Sequence, residues 1–119
     1  MTTILIVDDA AFLRLKTKQF LADSGYDVVE ASTGAEALEA YKRAKPDCVL
    51  LDIVMPDMDG VTALKELRQL DPEARVTMVT SMGQQPIILD ALRSGAKDFV
   101  VKPFDSARLL AAVHKMISS

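Results

Sequence analysis

The sequence predicts an α/β fold, a parallel sheet covered by helices on both faces, on three observations. Short apolar runs alternate with longer stretches of helical periodicity, and the alternation repeats five times. Two of those runs, Ile4–Val7 and Cys48–Leu51, are apolar at every position, as strands covered on both faces should be. The 119 residues, half of them hydrophobic, can build one core and leave no room for a second, so one domain over residues 1–119 is expected.

Ile4–Val7 is the first strand. From Ala10 the pattern changes: Leu13, Thr17, Phe20 and Leu21 recur at helical spacing until Ser24-Gly25. Tyr26–Ala31 is a second strand, polar enough to suit an edge. Thr33 and Glu36 have the spacing of a capping box. The helix they open turns Ala37, Leu38, Tyr41 and Ala44 inward and stops before Pro46. Cys48–Leu51 is the third strand, and Met55–Gly60 is a loop in which Asp57 or Asp59 can cap a helix carrying Val61, Leu64 and Leu67. Val76–Val79 is the fourth strand. After Ser81-Met82-Gly83 a helix begins near Pro86, which suits a first turn, and runs to Gly95 with Ile88, Ala91 and Leu92 buried. Asp98–Val101 is the fifth strand; Asp105 or Ser106 caps a last helix with Leu109, Val113 and Met116 in the core. That helix ends three residues from the terminus, so no functional tail is expected.

Composition removes several classes of function. Fourteen basic and seventeen acidic side chains give a net charge of −3, and no cluster of Lys and Arg marks a nucleic-acid footprint. The densest basic stretch, Arg14–Lys18, reads as the solvated side of the first helix. Cys48 is the only cysteine, which excludes a disulfide framework; with a single histidine it also excludes a four-ligand zinc site. His114, on the last helix, reads as a surface residue, and the six methionines read as core packing. No stretch has the length of a membrane span or the form of a signal peptide, so a cytoplasmic protein is expected.

Function is carried by the residues at the strand ends. In open α/β sheets ligands bind beyond the carboxyl ends of the strands. Asp8 and Asp9 follow the first strand, Asp52 the third, Thr80 the fourth and Lys102 the fifth, while the second ends in Ala31-Ser32. Singly, each aspartate could be a helix cap, Thr80 a loop residue and Lys102 a solvated charge. Their joint occurrence on one rim overturns that reading. Carboxylates crowded together repel unless a cation sits among them, and oxygen donors without nearby His or Cys select a hard cation, Mg²⁺ above all. Three aspartates, one lysine and Mg²⁺ cancel in charge, so a phosphoryl dianion could enter without strong repulsion. A carboxylate can attack phosphorus to give an aspartyl-phosphate. Asp52, alone at the end of the central run, is the best nucleophile. Asp8 and Asp9 would hold the metal, and Lys102 and the Thr80 hydroxyl would meet phosphoryl oxygens.

These motifs together resemble the receiver domain of bacterial two-component response regulators. They are Asp8-Asp9 after Ile-Leu-Ile-Val, the segment Asp52–Gly60, Val79-Thr80-Ser81, and Lys102-Pro103-Phe104. The resemblance spans the chain and implies a flavodoxin-like sheet with strand order 2-1-3-4-5, an order the receiver family exemplifies. It also implies phosphoryl transfer to Asp52 from the phosphohistidine of a sensor kinase, with Mg²⁺ bound by Asp8, Asp9, Asp52 and the backbone carbonyl of Val54. Lys102-Pro103 should be a cis peptide bond. Thr80 and Phe99 should act as a switch that alters the surface of helix four, strand five and helix five. The positions two after Asp52 and two after Thr80 tune phosphoryl hydrolysis in this family. Here they are Val54 and Met82, both apolar, and a long-lived phosphoryl group is expected unless a phosphatase assists.

Ala10–Arg14, Ser81–Gln85 and Gly95–Phe99 are similar to the CheY-like, single-domain chemotaxis regulators. That likeness implies the flagellar motor switch as output partner; the alternative is a receiver domain or phosphorelay intermediate of another two-component pathway. Phe12 and Leu15, off the core stripe of the first helix, are candidates for docking the kinase, and Ile87 for the output face. Two rivals share features of this reading. A flavodoxin-type carrier would have to bind an anionic flavin phosphate against Asp8-Asp9. A Mg²⁺-dependent phosphohydrolase that forms an aspartyl-phosphate commonly needs a second Asp where this chain has Val54. The chain is therefore expected to be a signalling phosphoacceptor that catalyses only its own phosphorylation and dephosphorylation.

Overall fold

Five parallel strands run in the order β2-β1-β3-β4-β5 in a computed structural model that describes residues 2–81 and 85–118. The elements alternate: β1 (Thr3–Val7), α1 (Ala11–Asp23), β2 (Asp27–Ala31), α2 (Gly34–Ala44), β3 (Cys48–Asp52), α3 (Gly60–Leu70), β4 (Val76–Thr80), α4 (Gln85–Arg93), β5 (Asp98–Val101) and α5 (Ser106–Ile117). The order jumps once, between β1 and its second neighbour β3, and there the crossovers change faces. Polar β2 lies at one edge, and β3, buried at every residue, lies at the centre.

Side chains alternate across a strand, and that period of two sorts the core into two layers. Leu5, Val7, Val49, Leu51 and Met78 pack under α2, α3 and α4. Ile4, Ile6, Cys48, Leu50 and Val79 pack under α1 and α5. The register keeps the layers coherent, pairing Ile4 with Cys48 and Leu5 with Val49. Leu21, Leu64, Leu67, Leu109 and Met116 close the layers from the helices, all nearly without exposure; truncating such a side chain to Ala costs about 2–5 kcal/mol.

Local chemistry ends and begins the helices. Thr33 accepts from the Glu36 N–H, while the Glu36 carboxylate reaches back to the N–H and hydroxyl of Ser32 rather than to Thr33. Asp59 caps α3 and Asp105 caps α5. Asp57 does something else: its carboxylate accepts the Gly34 and Ala35 N–H groups, both at 2.9 Å, and so caps α2 from a different loop. Those two N–H groups hold the Asp57 carboxyl below the usual carboxylate range.

Four expectations need correction. Leu92 is exposed, because the buried stripe of α4 is only Ile88 and Ala91 wide. Ala40 is buried in α2, whereas Leu38 and Ala44 are half-buried at the flanks of its stripe. In α1 only Thr17 and Leu21 are fully buried, and Leu13 and Phe20 sit at the edge of the layer. The basic stretch of α1 is solvated at Lys16, but Arg14 and Lys18 both pair with Glu30 on β2. Other expectations hold: His114 is exposed, Met55, Met78 and Met116 are in the core, and Lys102-Pro103 is cis. Met82 lies outside the described residues.

Gly60 begins α3 where it crosses the end of β3. Its N–H donates to the Ile53 carbonyl at 2.6 Å, and an added Cβ would overlap the Asp52 carbonyl oxygen and sit 2.6 Å from Ile53 Cα. Gly34 also lacks space, but there the obstacle is the flexible Met58 side chain. Gly60→Ala is therefore expected to lose about 2–3 kcal/mol in urea denaturation, the upper part of the range for overpacking, because the obstructing atoms are backbone. Gly34→Ala should lose clearly less, and equal losses would contradict this account.

Candidate functional site

The backbone ladder carries each candidate residue to one rim. The Asp8 N–H bonds Ala31 O (3.1 Å), Ile53 N–H bonds Val79 O (3.0 Å), and Lys102 N–H bonds Thr80 O (2.7 Å). Each strand's pairing thus continues one residue past or up to its end, and the side chains there are aimed by the sheet itself. Asp52 and Thr80 are the last residues of β3 and β4, one step earlier than the sequence reading placed them.

At that rim Asp8, Asp9 and Asp52 each place a carboxylate oxygen within 4.8 Å of the other two. Asp8 and Asp52 are each only 6% exposed, whereas Asp9 is open to solvent. Lys102 Nζ donates to Asp52 Oδ2 at 2.8 Å and lies 3.4 Å from Asp8 Oδ2. The remaining oxygens are used locally: Ala10 N–H donates to Asp8 Oδ1 (2.8 Å) and Val54 N–H to Asp52 Oδ1 (3.3 Å). The N-cap of α1 is Ala10 without a side-chain cap, so Asp9 is not a helix cap.

The electrostatics are asymmetric. Burial pushes the Asp52 carboxyl above its usual range; Lys102 opposes that shift and the neighbouring Asp8 reinforces it. Burial also works against the Lys102 ammonium, but Asp52 and Asp8 outweigh it and hold the ammonium above the usual lysine range. One cation thus serves two carboxylates, which leaves the rim short of positive charge.

An all-oxygen donor set with no imidazole or thiolate suits a hard cation. The three oxygens lie within 4.8 Å of one another, close enough to be drawn onto one ion. The donor set therefore fits Mg²⁺. Thr80, almost fully buried, directs its hydroxyl to the Ser81 carbonyl at 3.1 Å. Phe99 is half-buried on edge strand β5 and packs against the core layer beneath α4. The Val54 side chain points outward, 59% exposed. Of the other surface candidates, Phe12 is 74% exposed, and Leu15 and Ile87 are exposed as well.

Sequence reasoning missed one side chain that reaches the rim. Arg14 donates through Nη1 to the Asp8 carbonyl (2.6 Å) and through Nε to Glu30 (3.1 Å). A signal existed: an isolated acid in a strand, facing a helix with Arg14 and Lys18 one turn apart.

A doubly wound sheet with three carboxylates, a lysine and a threonine gathered at its carboxyl edge defines a phosphoacceptor signalling domain. Comparison with known proteins bears this out. Residues 4–114 match the family model described as response regulator receiver domain. The chain is 53% identical over 116 residues to the chemotaxis protein CheY of Bacillus subtilis, covering 97% of each. It is 47% identical over 114 residues to CheY of Thermotoga maritima, covering 95% of each. A response regulator receiver domain protein from Clostridium thermocellum superposes with a TM-score of 0.95 at 27% identity, covering 99% of this chain and 95% of that one. The chain belongs to the response regulator receiver domain family. Within it the chain is a CheY-like regulator, a signalling protein rather than a classical enzyme, and the phosphohydrolase reading is not favoured. Receiver domains generally bind Mg²⁺ through an acidic pocket, and CheY-like receivers interact with histidine kinases and output proteins. No helix among the described residues is long and apolar enough to cross a membrane.

The raised Asp52 pKa has a consequence for stability. Asp52 binds its proton more readily in the folded chain than in the unfolded one, so ionising it is unfavourable to folding. That cost is absent below the unfolded-state pKa of about 3.9 and grows as pH rises through the higher folded-state value. In EDTA, Asp52→Asn should have a higher urea midpoint than wild type at neutral pH, with the gap closing on acidification. A gap that does not change between pH 4 and 7 would refute the assignment.

Proposed function

We propose that residues 1–119 form one receiver domain in which Asp52 accepts a phosphoryl group and thereby switches protein–protein binding. One observation carries the reading. Asp52 ends the central strand, nearly buried, with Lys102 at 2.8 Å and the oxygens of Asp8 and Asp9 within 4.8 Å. An Asp52 oxygen forms a bond to phosphorus as the phosphorus–nitrogen bond of a kinase phosphohistidine breaks. The imidazole nitrogen keeps the bonding pair, and the product is an acyl phosphate. Lys102, already bonded to the Asp52 carboxylate, follows the charge onto a phosphoryl oxygen. Asp8, Asp9, Asp52 and the Val54 carbonyl would hold Mg²⁺, which when bound supplies the positive charge the rim lacks. The chain acts on no external substrate and catalyses only its own phosphorylation and dephosphorylation.

The Thr80 hydroxyl, now turned to Ser81, re-aims to the phosphoryl group, and Phe99 turns further inward. The face of α4, β5 and α5, with Ile87 on it, then gains or loses affinity for an output protein. The similarity to CheY favours a chemotaxis-type sensor kinase, the flagellar motor switch protein as output, and a cytoplasmic location. Nucleic acid and membrane are not partners. Phe12 and Leu15, exposed at the start of α1, offer the kinase an apolar docking edge.

Acetyl phosphate with Mg²⁺ should produce a shifted band in a phosphate-affinity gel, absent in EDTA and absent in Asp52→Asn. A band that persists in the variant would overturn Asp52 as the acceptor. With apolar Val54 and Met82 at the tuning positions, decay should take minutes or longer unless a phosphatase is added; decay within seconds refutes that part alone.

Kinase docking separates from chemistry. Phe12→Ala should label normally with acetyl phosphate but slow transfer from a phosphorylated chemotaxis-type kinase by about tenfold, the scale of one exposed aromatic anchor. Equal slowing with both donors would place Phe12 in the chemistry instead.

A further inference from the structure

Arg14 connects the acidic rim to the edge of the sheet. Glu30 is fixed on β2 by its pairing with Ile6, and its two oxygens receive Arg14 Nε and Lys18 Nζ, each at 3.1 Å. Burial disfavours the Glu30 carboxylate, but the two cations more than compensate and hold its pKa below the usual range. With Glu30 as anchor, the same guanidinium reaches 2.6 Å from the carbonyl oxygen of Asp8. The planar fork of arginine reaches the two acceptors through two different nitrogens held in fixed geometry, which the single nitrogen of a lysine does not reproduce.

We propose that Arg14 is a positioning residue for the divalent-cation site. Held by Glu30, it fixes the Asp8 peptide so that the Asp8 and Asp9 carboxylates converge on Asp52. The inference rests on the metal reading given above and adds a residue to it. Two further observations support it. α1 has no side-chain cap; beyond the ladder bond from the Asp8 N–H to Ala31 O, the turn through Asp8, Asp9 and Ala10 is held by the Asp8 carboxylate–Ala10 bond and by Arg14. Asp9, exposed and not a cap, meets Asp8 and Asp52 only through the course of that turn.

Charge and geometry predict opposite signs here. Arg14 is a cation beside a site for a cation, so by charge alone its removal should tighten Mg²⁺ binding. If it positions the ligands, removal should weaken binding. Lys18 is the control, with the same charge and the same Glu30 partner but no bond to Asp8.

The test is calorimetric titration of Mg²⁺ into the folded full chain. Wild type should bind, and Arg14→Met should bind about tenfold more weakly, at the low end for loss of a partner behind a metal ligand. Arg14→Lys should not restore affinity, and Lys18→Met should bind as wild type or slightly tighter. Should Arg14→Met fold poorly, Arg14→Lys takes its place, since it keeps the charge and should still bind more weakly than wild type. Without metal, amide exchange at residues 8–10 should be faster in Arg14→Met than in Lys18→Met. Mg²⁺ bound equally or more tightly by Arg14→Met overturns the assignment alone. No Mg²⁺ binding by wild type overturns the metal reading, and this assignment with it.

Discussion

Asp8 and Asp52 are buried side by side, and the Lys102 ammonium between them is the interaction on which the rim depends. Two ionised carboxylates in a nearly dry corner are tolerated only with a cation between them and hydrogen bonds on the remaining oxygens. Both conditions are met: Lys102 reaches each acid, and the Ala10 and Val54 N–H groups take the other two oxygens. The balance is incomplete, because Asp9 adds a third carboxylate and the Asp52 carboxyl stays above its usual range. A core built for stability alone would not hold this group. The shortfall of positive charge makes the rim receptive to a divalent cation, and the cation in turn makes it receptive to a phosphoryl dianion.

Such a rim must be held by something stiffer than itself. The sheet does most of this, since backbone ladders run to the residues before and at the site. The loops are held by polar contacts with other elements. Arg14 ties the turn after β1 to Glu30 on the edge strand. Asp57 ties the loop after β3 to the N-terminus of α2, where the helix dipole favours a carboxylate. Gly60 lets α3 approach the Asp52 backbone more closely than any side chain permits. Each contact crosses from a site loop to a different element, so the loops take their course from neighbours and not from their own sequence.

That distinction accounts for what could be read without coordinates. Strands such as Ile4–Val7 and Cys48–Leu51 were legible because burial on both faces demands an unbroken apolar run. The rim was legible because strand ends in a parallel sheet all point one way, so Asp8, Asp52, Thr80 and Lys102 had to meet. Cross-element contacts were not legible. Asp57 and Asp59 both look like caps for α3, and only space assigns one of them to α2. Arg14 looks like part of a solvated basic stretch until β2 is placed beside α1. Leu92 fits the helical period of α4, but the stripe is narrower than the period allows, because an edge helix is covered on less of its circumference.

The last connection runs from the rim to the far edge of the sheet. β4 and β5 are bonded at their ends through Thr80 and Lys102, two of the residues that would meet a phosphoryl group. Three residues before that lysine, Phe99 pairs in register with Met78 and leans on the layer beneath α4. A shift of the Thr80 hydroxyl away from Ser81 would therefore be felt in the strand that carries Phe99, and packed cores respond to such shifts by changing between discrete arrangements. Because β5 is an edge strand, Phe99 is only half-buried. The same position in a central strand would be packed from both sides. The proposed output face lies at the edge of the sheet, where a small change in charge at the rim would become a change in shape.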